Sequence, residues 1–211
     1  MAGPNLTTHI PIIPLITVSG NTPETEAIPE AAAQTFLAGV PVQIDANGNV
    51  KKWDGATYNN GIIGISNIMG SNLATAGKGA PAPFGQIGPP GAIQTWGSVP
   101  NQPNAVNIAE GTPITDGRTL VNMAASDTIF EGMVDNSNGT VPADYTPTQA
   151  NVFKFYGLTF DANGYAYVDL GKNTQNTNTS VQIVGLSPVD GSIPNARVRF
   201  VIAIAARQNQ Q

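Results

Sequence analysis

The residues able to do chemistry are few in this chain, and each lacks the partners that chemistry needs. His9 is the single histidine and no cysteine is present. A Ser/His/Asp relay therefore has only His9 to take the proton, and thiolate nucleophiles, thiolate metal sites and disulfides are excluded together. Asp116, Asp127, Glu131 and Asp135 are the acids that could pair as glycosidase carboxylates. Their spacing reads better as scattered, solvated charges.

Three Asp/Asn/Gly stretches invite a calcium reading. "DANGNVKKWDGA" places Asp45, Asn47 and Asn49 at positions one, three and five of an EF-hand loop. Val50 then stands where Gly is required and Ala56 where the bidentate Glu belongs. "DANGYAYVDLGK" lacks the closing Glu as well, and "DNSNGT" from Asp135 offers one carboxylate. "GKGAPAPFG" has neither Walker spacing nor a following helix pattern. These readings predict no enzyme, no cofactor and no metal.

Charged residues make up 11% of the chain, against about 25% in ordinary domains. Few long Lys and Glu side chains leave a neutral surface, the kind that neighbours can cover. The formal net charge is -5. Lys51-Lys52 and the pair Arg197 and Arg199 form no patch able to displace phosphate counterions, so nucleic acid is not an expected partner. "MAGPNLTTHIPIIPLITVSG" has no basic n-region, and Pro11 and Pro14 break its apolar run, so neither a signal peptide nor a membrane span is expected.

The elements that would position any site are β. Residues 1–35 read as an extended N-terminal arm, since its prolines forbid helix and limit strand pairing to an edge. The arm's apolar residues Ile10, Ile12, Ile13, Leu15 and Ile16 need a surface, on the same subunit, a sister subunit or another protein. "IPEAAAQTFLAG" could form one short helix between Pro29 and Gly39. From residue 36 onward a β-domain is expected, with strands near 40–44, 49–53, 61–68, 119–123, 129–134, 152–160, 165–170, 181–187 and 196–206. A Pro/Gly-rich insert at about 71–109 interrupts it, with Phe84 and Trp96 as further contact candidates.

Comparison of the chain with itself shows an internal repeat. "DANGNV" at 45–50 recurs as "DANGYA" at 161–166, and "IGISNIMGS" at 63–71 recurs as "VGLSPVDGS" at 184–192. "AGVPVQI" at 38–44 relates more weakly to "EGTPITD" at 110–116. Each copy reads as strand, Asp/Asn/Gly turn, strand, then a strand ending at Gly and Ser. Gly48 is expected at positive φ. Trp53 closes the first hairpin, and its full burial would contribute about 5 kcal/mol before entropy losses. The fold class expected is mainly β: an antiparallel β-barrel or β-sandwich with internally repeated hairpin units, an extended arm and at most one short helix.

"FLAGVPVQIDANGNVKKWDG" followed by "GIIGIS" resembles the head decoration, or cement, proteins of tailed bacteriophages, in which a Gly-x-Pro-Val strand leads to a short turn, a strand and a closing Gly-Ile-Ala-like segment. "EGTPITDGRTLVNMAASDTIFEGMV" looks like a looser version of it, and "VRFVIAIAA" resembles the final strand of such proteins. The likeness covers residues 36–136 and the C-terminal strand; the long arm and the insert depart from it. It implies a structural protein of the virion exterior that binds the major capsid protein on an assembled shell, as a homo-oligomer with a trimer favoured. The rival class is an adhesive or carbohydrate-binding module of a phage fibre, for which Tyr58, Trp96, Tyr145 and Tyr156 would supply aromatic platforms.

Overall fold

The computed structural model describes residues 10–31, 34, 36–55, 61–70, 118–173 and 179–207. Eleven strands run through them: β1 (Ile13–Thr17), β2 (Thr25–Pro29), β3 (Pro41–Ile44), β4 (Val50–Lys52), β5 (Gly64–Ser66), β6 (Arg118–Met123), β7 (Thr128–Asp135), β8 (Phe155–Phe160), β9 (Ala166–Asp169), β10 (Val181–Leu186) and β11 (Arg197–Ile202). Helical residues among those described are confined to the 3-10 turns Pro142–Tyr145, Gln149–Asn151 and Ile204–Ala206. The fold is mainly β, as the sequence pattern requires.

β11 shows why these residues form strands. In "RVRFVI" every second side chain is buried, the period of two that puts one face on a core. β10 follows the same rule until its register shifts between Ile183 and Gly185. Glycine tolerates such a bulge.

Two five-membered sets of strands emerge, and they have the same strand order. The second set runs β7-β11-β10-β8-β9, and a parallel ladder of Val134 with Val168 and Asp135 with Asp169 joins β9 back to β7, closing a barrel. The first set runs β2-β6-β5-β3-β4, and its ends meet at one parallel bridge, Glu30 with Val50, where the Ala31 N–H donates to the Val50 carbonyl at 2.8 Å. Replacing β2, β3, β4, β5 and β6 by β7, β8, β9, β10 and β11 turns one order into the other. The repeat in the sequence is thus a repeat of topology. The weaker match at 110–116 lies outside the described residues.

The segment expected as an extended arm supplies two strands. β1 pairs antiparallel with β7 at the edge of the six-stranded sheet, and β2 pairs with β6 in the other. Pro14 sits in β1 with a bulge at Leu15, both compatible with an edge strand. No described residue of 28–39 is helical: Pro29 ends β2, and Glu30 bridges to β4. Pairing with Val50 overrides the local helix preference at Glu30 and Ala31.

One apolar cluster runs through both sets. It includes Ile12, Val42, Ile65 and Val121 beside Phe130, Val134, Ile183 and Phe200. Trp53, 3% exposed, lies 6.2 Å from Phe160 across the join, and the Lys52 ammonium sits 3.9 Å above the Phe160 ring. The Ile62 N–H donates to the Ala206 carbonyl at 2.6 Å and the Ile12 N–H to the Gly39 carbonyl at 3.3 Å. Gly39, at φ 74°, is where the chain needs no Cβ, because one would collide with Pro11 and the Ile12 backbone.

Candidate interaction surfaces

The Asp/Asn/Gly stretches are turns. In the first, the Asn47 and Asn49 N–H groups donate to one Asp45 carboxylate oxygen at 2.8 and 2.9 Å. In the second, the Asn163 and Tyr165 N–H groups do the same to Asp161 at 2.9 and 2.8 Å. Gly48 and Gly164 take φ of 82° and 87°. Each Asp caps its own backbone, which holds the Asp45 carboxyl below its ordinary value, with the Asn49 N–H as the first cause. No group of three or more His, Cys, Asp or Glu able to hold a metal occurs among the described residues.

Of the four acids that could have met as a catalytic pair, Asp127, Glu131 and Asp135 each have other partners. Asp116 and His9 lie outside the described residues. Asp127 accepts a hydrogen bond from Ser19 at 3.2 Å, and Glu131 lies 2.8 Å from the Arg197 guanidinium and 3.6 Å from that of Arg199. Asp135 sits at the barrel seam, in register with Asp169 and fully buried. Asp169 accepts from the Ser137 and Gly171 N–H groups at 3.1 and 3.0 Å and from the Thr159 hydroxyl at 3.0 Å. These carboxylates tie loops to the barrel. Nearby, burial first and then the charges of Asp169, Asp135 and Asp161 push the Tyr167 phenol well above its usual range.

The arm residues divide once β1 is in place. Ile12 is buried, packed over Gly132, so it belongs to the core and is withdrawn as a partner contact. Leu15 is half-buried at the bulge. Ile10, Ile13 and Ile16 remain 36, 38 and 43% exposed, followed by the well-exposed Val18. Phe84 and Trp96 lie outside the described residues.

The aromatic platforms of the adhesive reading fare differently. Tyr156 is buried, its hydroxyl accepting from the Asn151 amide at 2.7 Å, and Tyr145 is half-buried. Tyr58 lies outside the described residues. Among the described residues, the aromatic side chain that stands well out in solvent is Phe153, which sequence reasoning folded into an expected strand at 152–160. Its φ of 64° carries no signal in the residue types around it. No helix among the described residues is long and apolar enough to cross a membrane.

No protein-family model, no curated protein and no solved structure matches the chain.

Proposed function

We propose that the chain is a capsid decoration protein of a tailed bacteriophage, a structural component that binds the outer surface of an assembled shell and bridges neighbouring copies of the major capsid protein. The observation that carries this reading is the exposed apolar row Ile10, Ile13, Ile16 and Val18, presented at and around an edge strand pinned to a closed barrel. A rigid support lowers the entropy lost on docking, and an apolar row covered by a neighbour removes surface from water. Pro14 and the Leu15 bulge blunt the β1 edge, so contact through side chains suits it better than strand addition. Association as a trimer would let several weak contacts act together.

Mixing the purified chain with undecorated capsids should give saturable, stoichiometric binding and raise the temperature at which the shells open. Ile13→Lys with Ile16→Lys should weaken binding by about 10-fold or more, since each puts a charge into a covered apolar contact. Absence of binding by the unaltered chain overturns the reading, and selective binding on a glycan array would replace it with the adhesive one.

A further inference from the structure

The arm row continues across the sheet that carries it. Residues directly opposite one another in antiparallel strands share a face. Ile13 is opposite Glu131 and Glu131 is opposite Arg199, so the three cross β1, β7 and β11 in one line. At the usual strand spacing Ile13 and Arg199 are then roughly 10 Å apart. Ile129, two residues from Glu131 and so on the same face, is opposite Ile16; Val201 shares the face of Arg199 because Val198, Phe200 and Ile202 alternate with them into the core. The exposed Ile13 and Ile16, the half-buried Ile129 and Val201, and Arg199 thus form one outward face.

Arg199 is the group on this face whose hydrogen bonding is incomplete. Glu131, the acid opposite it, is drawn instead to Arg197 at 2.8 Å, and Asp190 bonds that same Arg197 guanidinium at 2.7 and 3.0 Å. Glu131 is left 3.6 Å from the Arg199 Nε, beyond hydrogen-bond reach, and this nitrogen is buried with no acceptor among the described residues. The Arg199 side chain is nevertheless 42% exposed. Gly185, opposite Arg199 on β10, adds no side chain, and a Cβ there would meet nothing within 4 Å, so that flank is open. A guanidinium is a planar fork of donors matched to a carboxylate. Standing among apolar side chains, it is the type of anchor on which protein contacts centre.

We infer that the outward face of β1, β7 and β11 receives a segment of the capsid protein that sets an Asp or Glu carboxylate on the Arg199 guanidinium and apolar side chains on Ile13, Ile16 and Val201. This rests on the capsid reading and gives the partner's contact segment a chemistry. The isoleucines supply buried area, and Arg199 supplies selectivity, because a partner without the carboxylate leaves the guanidinium covered and unpaired.

Two substitutions of the full chain, assayed on undecorated capsids, test it. Arg199→Met keeps the apolar stem and removes the fork, whereas Arg199→Lys keeps the charge. Arg199→Met should weaken binding by about 10-fold and make it less sensitive to salt, and Arg199→Lys should recover part of the loss. Neither should move the melting temperature by more than about 2 °C, because a half-exposed guanidinium beyond bonding distance of its acid adds little to stability. A water-soluble carbodiimide should then join the amine introduced by Arg199→Lys to an Asp or Glu of the capsid protein, located by mass spectrometry. If the unaltered chain binds capsids and Arg199→Met binds equally well, or if the cross-link forms only with Glu131 of the same chain or with a second copy, the inference is overturned and the capsid reading stands. If the unaltered chain binds no capsid, both fall.

Discussion

The two halves of this molecule have one strand order and close it differently. In the N-terminal sheet, β2 is largely exposed and meets β4 through a single bridge at Glu30; in the C-terminal barrel, β7 is buried along nearly all its length and bonds to β1, β11 and β9. Aligning Asp45 with Asp161 brings Trp53 opposite Asp169, and these two residues carry the contrast. The N-terminal sheet fills the position with an indole packed on Phe160, whereas the barrel fills it with a buried carboxylate that gathers two backbone N–H groups and a hydroxyl. A common topology can therefore rest on apolar volume in one copy and on polar satisfaction in the other.

The largest effect should come from breaking the apolar solution. Trp53→Ala is expected to cost about 4 kcal/mol through a cavity shared by both halves, read from the midpoint of urea unfolding; a loss under about 1 kcal/mol would mean the join does not depend on the indole. Asp169→Ala should cost somewhat less, about 3 kcal/mol, since three donors lose their acceptor inside the barrel. Equal costs for hydrophobic isosteres at both positions would erase the distinction between the halves.

Below these come the turns, where the halves should agree. Gly48→Val and Gly164→Val should each cost about 1–2 kcal/mol, because both glycines sit at positive φ with room for a side chain. Unequal costs would show that the repeated turns are not equivalent. A metal chelator should leave the melting temperature unchanged; a fall would restore a bound ion to these loops.

The smallest effect concerns pH. Asp190 bonds the Arg197 guanidinium at 2.7 and 3.0 Å, and that hydrogen bonding, more than any other cause, holds its carboxyl below the ordinary 3.8. A depressed folded-state pKa gives stability that is complete above the unfolded value and lost as pH falls through the folded one. Asp190→Asn should thus flatten the acid limb of the stability curve below about pH 4, with little change at pH 7 beyond the loss of one partly exposed ion pair. An unchanged acid limb would locate acid sensitivity elsewhere than this ion pair.

Much of the fold was legible in the sequence. Period-two alternation and Gly/Asn punctuation located the nine strands from β3 to β11, and self-comparison located the repeat. β1 and β2 were missed because prolines at 11, 14 and 29 mask strand preference, and because what pairs them, β7 and β6, is about a hundred residues away. The candidate surfaces were half legible. Apolar residue types flagged the arm row, but whether each faces core or water depends on a register that no local pattern contains, so Ile12 was counted outward and Phe153 was passed over.

By itself, then, the chain's sequence determined the β class, the repeated capped turns and the shortage of catalytic groups, because these follow from residue type and nearest-neighbour spacing. Only the tertiary structure decided that the arm folds back onto its own barrel, that Ile12 fills the space over Gly132, that Trp53 and Asp169 serve one position by opposite means, and that Phe153 is held in strain at the surface. Each of those depends on which distant strands meet, and burial and backbone strain are properties of that meeting.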